Sequence, residues 1–197
     1  EGIESAESSD LGLRVMVGQG QAIVSSTDLN ASALRELIER AITMARNAPV
    51  DEYAGLPSAD DLAETVVDLD LADSEIPSSS ILLDLASQAE DSARSVSGIT
   101  NSEGAETSAG ESAVTLANSS GFAGGYRATS FGISVSVIAG SDTQMERDYE
   151  YTSIRHFSDL EPASEIGKRA AERAVRRLDP KKVKSQQVPV VFDPRLS

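Results

Sequence analysis

The chain offers few of the side chains that perform chemistry. Its 197 residues include one histidine, His156, and no cysteine. A zinc motif of the form H-E-x-x-H needs two histidines on one helix face, so this chain cannot supply one. The sequence also lacks the Gly-x-Ser-x-Gly elbow that exposes a nucleophilic serine. A lone histidine directly after a predicted strand is more often structural. We therefore predict no catalytic residue and no metal site in this chain, and its own enzymatic activity stays an open question.

The densest group of polar and aromatic side chains is Met145–Tyr151, with the sequence MERDYEY. Tyrosine and arginine often anchor interfaces, because each buries a large area while keeping a polar group. Tyr149 and Tyr151 would share one face of a regular strand. The alternative is a ladder on a sheet face, in which Arg147 pairs with a neighbouring carboxylate. The candidate residues of a peptide or partner interface are Arg147, Asp148, Tyr149, Tyr151, Asn118, Ser119 and Asn101.

Asn101, Asn118 and Ser119 have a second interpretation, because short polar side chains also satisfy the backbone of turns. The sequence alone leaves open whether they line a groove or hold turns together.

The net charge of −15 is unevenly distributed. Residues 51–112 contain fifteen acidic residues and one base, Arg94, which gives −14 for that segment. Eight of the seventeen basic residues fall between Lys168 and Lys184. An acidic chain repels phosphate backbones, so we predict no nucleic-acid partner. The basic run is either a solvated helix face or a local contact for an anion or an acidic partner.

Period-two alternation marks the strands of the predicted fold. In Ser130–Val137 the apolar residues fall on one face and serine or glycine on the other, which is typical of a strand with one buried side. Leu11–Val17 and Gln21–Ser26 predict a hairpin, residues 99–154 an antiparallel meander, and Val188–Phe192 a final strand.

Three segments have helical spacing, at about residues 31–48, 79–96 and 163–178. We therefore predict an α+β fold, with a mostly antiparallel sheet of about six to seven strands and about three helices packed on one face. Residues 50–77 are rich in acids and turn residues, which predicts a long acidic loop. No apolar run is long enough for a transmembrane helix, and the absence of cysteine suits the cytoplasm.

Several motifs, in this order and spacing, resemble the TldD/PmbA family. They are Leu11–Val15, Asp51–Pro57, Asn101–Ala105, Gly121–Tyr126, Val137–Gly140, Glu146–Tyr149, Ile166–Ala174 and Val188–Pro194. The segments Asp51–Pro57 and Met145–Tyr151 resemble the PmbA (TldE) branch in particular. The resemblance covers nearly the whole chain. Because family members are much longer, it implies that residues 1–197 are an N-terminal domain without its first strand and helix and without the C-terminal half.

This resemblance implies a non-catalytic subunit of a TldD/TldE-type zinc metallopeptidase. Its partner would be a TldD-like subunit that holds the zinc, and the chain itself would bind no cofactor. The implied substrates are microcin-type peptides and unfolded or antitoxin-like polypeptides, which an exposed edge strand could hold through main-chain hydrogen bonds. A homo-oligomer is the alternative for the isolated chain. The alternative function is a metal-free peptide- or protein-binding module, historically described as a modulator of DNA gyrase.

Overall fold

The computed structural model describes residues 2–194, except for the side chain of Ala59. The chain divides into two compact units. The first comprises the residues up to Val67 together with Thr115–Gly125, and the second comprises Asp68–Val114 and the residues from Tyr126 onwards.

The first unit contains a β-hairpin and one helix. Strands β1 (Leu11–Val17) and β2 (Gly20–Ser26) pair antiparallel, and α1 (Ala31–Asn47) packs against both. The apolar positions of α1 recur every three to four residues, so they form one face that is buried on the hairpin. A Cβ atom at Gly20 would lie 2.2 Å from the carbonyl oxygen of Ala45, which shows how closely the hairpin approaches the helix.

The second unit contains a three-stranded sheet and two helices. The strands are β3 (Ile99–Ala117), β4 (Ala123–Ala139) and β5 (Glu146–Ile154), with β4 in the centre. The last residues of β3 and the first residues of β4 fall within Thr115–Gly125 and so belong to the first unit. Helices α2 (Ser79–Arg94) and α3 (Ala163–Arg176) pack on each other and on one face of this sheet. Between α1 and α2 the only regular element in the described residues is a single 3₁₀ turn, Ala59–Asp61.

The core of the second unit lies between the sheet and the two helices. Phe131, Ile133, Val135 and Val137 are each at most 2% exposed, which confirms the buried face predicted from the alternation of β4. The helices cross very closely, because a Cβ atom at Gly167 would lie 2.0 Å from the carbonyl oxygen of Ala89. Glycine at this position lets the two helix backbones meet.

The predicted α+β class, antiparallel pairing and three helices are confirmed, but two details predicted for the sheet are wrong. The strands number five in the described residues, and they form two separate sheets of two and three strands. The predicted strand Val188–Phe192 is irregular. Its apolar side chains are exposed, and no neighbouring strand in residues 2–194 pairs with it. Alternation alone cannot make a strand, because the backbone groups need a partner strand for their hydrogen bonds.

The helices between residues 2 and 194 include none that is long and apolar enough to cross a membrane.

Candidate functional site

The face of the three-stranded sheet opposite α2 and α3 carries most of the polar and aromatic side chains of interest, and we call it the outer face. Alternate residues of a strand point to opposite faces, so burial of Ile133, Val135 and Val137 against the helices turns Ser134 and Ser136 outward. The outer face therefore consists mainly of hydroxyl groups, charged side chains and tyrosine rings. Its members are Glu103, Glu106, Ser108, Gly132, Ser134, Ser136, Arg147, Tyr149, Tyr151 and Ser153.

Three strands contribute to a charged cluster at one end of the outer face. Glu103 on β3 accepts hydrogen bonds from the Ser136 hydroxyl at 2.6 Å and from Arg147 Nε at 2.5 Å. The hydrogen bond from Ser136, followed by that from Arg147, lowers the pKa of Glu103 below its ordinary value. Arg147 thus pairs with a carboxylate across the sheet, as in the ladder that the sequence left as an alternative.

Tyr149 and Tyr151 lie side by side on the outer face. Their ring centroids are 6.3 Å apart and the rings are 21° from parallel, so they form a stacked pair. Tyr149 is 39% and Tyr151 is 53% exposed, which leaves a broad aromatic surface in contact with solvent. Stacked rings hold each other in place, so this surface is ordered before any partner arrives.

A shallow groove of about 310 Å³ runs beside Tyr151. Hydroxyl groups from all three strands border it, together with the ring of Tyr151 and the carboxylate of Glu106. The residues that line it are Glu106, Ser108, Gly132, Ile133, Ser134, Tyr151, Thr152 and Ser153. The combination of hydroxyls, one carboxylate and one aromatic ring suits a polar or cationic ligand.

The opposite face of β5 carries a second charged system, which the sequence analysis did not identify. Glu146, Asp148 and Glu150 alternate along β5, and they meet two arginines of α3 and Arg177, which directly follows α3. The ion pairs are Arg169 and Arg173 with Glu150, Arg177 with Asp148, and Arg177 with Glu146. We call this set the acid–arginine ladder. The sequence contains one hint of this ladder, since acids recur at every second residue of one segment and arginines at every fourth residue of another. That spacing did not reveal that the two segments face each other.

In each of the two buried acids of the acid–arginine ladder, both carboxylate oxygens contact a polar group. Asp148 Oδ1 accepts the backbone N–H of Tyr149 at 2.8 Å, and Glu150 Oε1 accepts that of Tyr151 at 3.2 Å. The other oxygen of each faces the α3 arginines. These two β5 amides are therefore already occupied, so the outer face is better suited than this part of the strand edge to hold a polypeptide.

The structure brings together three of the seven residues proposed from the sequence. Arg147, Tyr149 and Tyr151 share the outer face, whereas Asp148 is 7% exposed on the helix-facing side. Asn101 lies near the start of β3, where its side-chain oxygen accepts the N–H of Ser102 at 2.9 Å.

Asn118 and Ser119 lie in the turn between β3 and β4, which belongs to the first unit. The side-chain oxygen of Asn118 accepts the N–H groups of Ser120 and Phe122. Asn118 thus satisfies the backbone of a turn, whereas Asn101 contacts the backbone of the next residue within β3.

His156 stands where β5 leads into a short 3₁₀ turn, Phe157–Asp159. Its Nε2 lies 2.8 Å from the backbone oxygen of Asp70 and 3.6 Å from that residue's carboxylate. The hydrogen bond to the Asp70 carbonyl raises the pKa of His156, burial opposes this, and the charges of Asp70, Asp73 and Asp159 add to the rise. Asp73 accepts the N–H of Phe157 at 2.8 Å, and this bond lowers the pKa of Asp73. His156 thus helps to fasten residues 70–73 to the end of β5.

The described residues do not fit a zinc site. Within residues 2–194 no three or more histidine, aspartate or glutamate side chains converge in a way that could hold a metal ion. The one imidazole, on His156, directs Nε2 at a backbone carbonyl.

Comparison with known proteins shows that two segments of the chain match two domains of the same family. Residues 72–178 match the PmbA/TldA metallopeptidase central domain, and residues 1–45 match the PmbA/TldA metallopeptidase domain 1. The first match covers more than half of the chain. Both matches are to domains of the same family, in the order in which they occur along the chain.

Relatives support the same assignment. The metalloprotease PmbA homolog of Haemophilus influenzae is 33% identical over 98% of this chain and 43% of the relative. The metalloprotease PmbA of Escherichia coli O157:H7 is 34% identical over 98% of this chain and 43% of its own length. The chain therefore belongs to the PmbA/TldD family, on its PmbA (TldE) side, and spans less than half the length of these relatives.

Solved structures share the fold. A Bacteroides thetaiotaomicron protein proposed as a modulator of DNA gyrase superposes with a TM-score of 0.81 at 25% identity, over 89% of this chain and 41% of the other. TldE from Thermococcus kodakarensis superposes with a TM-score of 0.62 at 18% identity, over 84% of this chain and 36% of the other. The second likeness concerns the fold alone.

Proposed function

We propose that this chain is the N-terminal part of the non-catalytic subunit of a TldD/TldE-type zinc metallopeptidase complex. In this proposal a TldD-like partner subunit holds the zinc and cleaves the peptide bond. This chain presents the polypeptide to that partner in the cytoplasm. The substrates are microcin-type peptides and unfolded or antitoxin-like polypeptides.

The observation that carries this proposal is the stacked pair Tyr149–Tyr151 beside a hydroxyl-lined groove on the outer face. Exposed aromatic rings next to hydrogen-bonding groups suit an extended polypeptide, because rings contact its apolar side chains and hydroxyls pair with its backbone. The acid–arginine ladder behind β5 supports the tyrosines from the other side of the strand. Family membership supplies the peptidase context.

The test is reconstitution with the TldD-like subunit. Each protein alone and the mixture are assayed on an unfolded polypeptide and on a microcin-type precursor, with and without a zinc chelator. We expect cleavage only in the mixture and only without chelator. Cleavage by the present protein alone in the presence of chelator would contradict the assigned roles.

A metal-free binding module is the second candidate, because the outer face could hold a peptide or a regulatory protein without any peptidase. The description of a structural neighbour as a modulator of DNA gyrase is compatible with such a role. This candidate predicts that a bound polypeptide copurifies with the protein, and that the TldD-like subunit adds no hydrolysis. The reconstitution assay therefore separates the two functions.

Direct binding of nucleic acid has less support. The basic run between Lys168 and Lys184 would be the phosphate-binding surface, but three of its arginines, Arg169, Arg173 and Arg177, form ion pairs with acids of β5. Paired arginines offer less charge for the release of counterions from a phosphate backbone. Binding of duplex DNA at low salt that weakens steeply as salt is added would revive this function.

A further inference from the structure

We infer that the groove between Glu106 and Tyr151 binds the cationic side chain of a lysine or arginine in an extended polypeptide. The inference rests on the proposed function only in taking the occupant to be a polypeptide. It adds a preference for a basic residue at one position of that polypeptide.

The first argument is charge. Glu103 and Glu106 both lie on the outer face of β3, but only Glu103 is neutralised, by Arg147 at 2.5 Å. Glu106 is exposed and forms no ion pair with any residue from 2 to 194. The chain as a whole carries −15, which raises the local concentration of cationic partners. Glu106 therefore leaves one unbalanced negative charge at the border of the groove.

The second argument is the aromatic wall. Tyr151 lines the groove and is 53% exposed, while its stacking on Tyr149 holds its orientation. A cation over a tyrosine ring is attracted by the electrons of the ring face. A carboxylate and an aromatic ring on opposite sides of one groove are the usual surroundings of a bound ammonium or guanidinium group.

The third argument is the shape and polarity of the floor. A Cβ atom at Gly132 would lie 2.9 Å from Ser108 Oγ, so glycine keeps the centre of the groove free of a side chain. Ser108, Ser134 and Ser153 surround this space with hydroxyl groups, which can accept hydrogen bonds from ammonium or guanidinium N–H groups. A larger residue at position 132 would fill the space that the cation needs.

The test compares two otherwise identical, labelled serine- and threonine-rich peptides that carry either lysine or norleucine at one central position. Norleucine keeps the methylene chain and lacks the ammonium group. Binding to the protein is measured by fluorescence anisotropy. We expect the lysine peptide to bind about five- to tenfold more tightly, the combined effect of one exposed ion pair and one cation–π contact. Equal affinities, or no binding of the lysine peptide at millimolar concentration, would overturn the inference.

Variants locate the effect in the groove. Glu106→Gln should reduce the preference for lysine to less than about twofold, and Tyr151→Leu should reduce it partially, whereas Tyr151→Phe should retain it. Glu172→Gln is the matched control, since it removes the same charge from an exposed position of α3. If Glu172→Gln lowered the preference for lysine as much as Glu106→Gln does, that preference would arise from the net negative charge of the protein and not from the groove.

The proposed peptidase role and the proposed cation-binding groove can be refuted separately. If the mixture with the TldD-like subunit shows no hydrolysis while lysine selection still depends on Glu106, the peptidase role is wrong and the groove stands. If hydrolysis occurs and lysine and norleucine peptides bind equally, the groove is wrong and the peptidase role stands.

Discussion

Glu150 on β5 and Arg173 on α3 join the sheet to the helix from inside the second unit. Glu150 Oε2 lies 2.5 Å from Arg173 Nη1, close enough for an ion pair although the N–H direction is not aligned for a hydrogen bond. The Glu150 side chain is 8% exposed, whereas that of Arg173 is 29% exposed. Arg169 approaches the same oxygen at 3.4 Å. One nearly buried carboxylate thus contacts two guanidinium groups, of which that of Arg169 also pairs with Glu161 at 2.8 Å.

Removal of the Glu150 charge should destabilise the protein markedly. We expect Glu150→Gln to lower the free energy of unfolding by about 3 kcal/mol, because the partly buried Arg173 loses its counter-ion and Arg169 keeps only its pair with Glu161. Urea denaturation followed by circular dichroism measures the change. Glu111→Gln is the control, since its pair with Arg127 is well exposed and should contribute less than about 1 kcal/mol. Equal losses of stability in Glu150→Gln and Glu111→Gln would show that burial adds no stability to the ion pairs of the acid–arginine ladder.

Gly167→Ala should also destabilise the protein, against the normal preference of helices for alanine. Alanine normally stabilises a helix by up to about 1 kcal/mol relative to glycine. Here its Cβ would meet the Ala89 carbonyl at 2.0 Å, so α2 and α3 must separate. We expect a loss of about 2–3 kcal/mol in the free energy of unfolding, as for other overpacked cores.

Gly110→Ala is the matched control for Gly167→Ala, because a Cβ atom at Gly110 would meet no atom within 4 Å. Its effect should stay within about 0.5 kcal/mol, the usual range for surface substitutions. A stabilising effect of Gly167→Ala in thermal denaturation would contradict the close helix crossing.

Because the chain has one histidine, the contribution of His156 to the pH dependence of folding stability is directly measurable. The pKa of His156 is raised in the folded protein, so its protonated form favours folding. This contribution is complete below the unfolded pKa of about 6.5 and is lost as the pH rises through the folded value. The stability difference between the wild-type protein and His156→Gln should therefore be largest in mild acid and shrink towards alkaline pH.

Proton NMR can follow the His156 imidazole without ambiguity, since the chain has no other histidine. Asp70→Asn should lower the measured pKa only in part, because the backbone carbonyl that makes the largest contribution remains. Asp84→Asn serves as the control, as Asp84 lies on the exposed surface of α2. A titration midpoint at or below about 6.5 in the wild-type protein would contradict the contact with Asp70.

Loss of the tyrosine pair should weaken the capture of polypeptides without unfolding the chain. Tyr149→Ala and Tyr151→Ala remove exposed rings, so circular dichroism should stay unchanged. Binding of an unfolded polypeptide to the chelated two-subunit complex should weaken by about tenfold, typical of a central aromatic anchor. Tyr53→Ala, at a residue 88% exposed in the first unit, should bind as the wild-type protein does. Equal effects at all three positions would exclude a specific role for the pair.

The local features of the fold could be predicted because they depend on residues close together in the chain. The helices predicted at residues 31–48 and 163–178 were found at Ala31–Asn47 and Ala163–Arg176. Their buried positions repeat every three or four residues, and such spacing identifies a helix before its partner is known. The alternation in β4 identified its buried face for the same reason.

The acid–arginine ladder could not be predicted, because it depends on which element packs against which. Asp148 and Arg147 are neighbours in the sequence and were grouped together, yet they point to opposite faces of β5. The strand expected at Val188–Phe192 was wrong for a related reason, since pairing requires a second strand that no local pattern specifies. In both cases the missing information was the tertiary partner.

Asp148 and Glu150 give β5 a property beyond charge balance. A strand at the border of a sheet is a template on which another chain can continue the hydrogen-bond ladder, and this is one origin of aggregation. Here the amides of Tyr149 and Tyr151 already donate to acidic side chains that α3 holds in place. Because these amides are already occupied, this part of β5 offers fewer free hydrogen-bond donors to a strand of another copy of the protein.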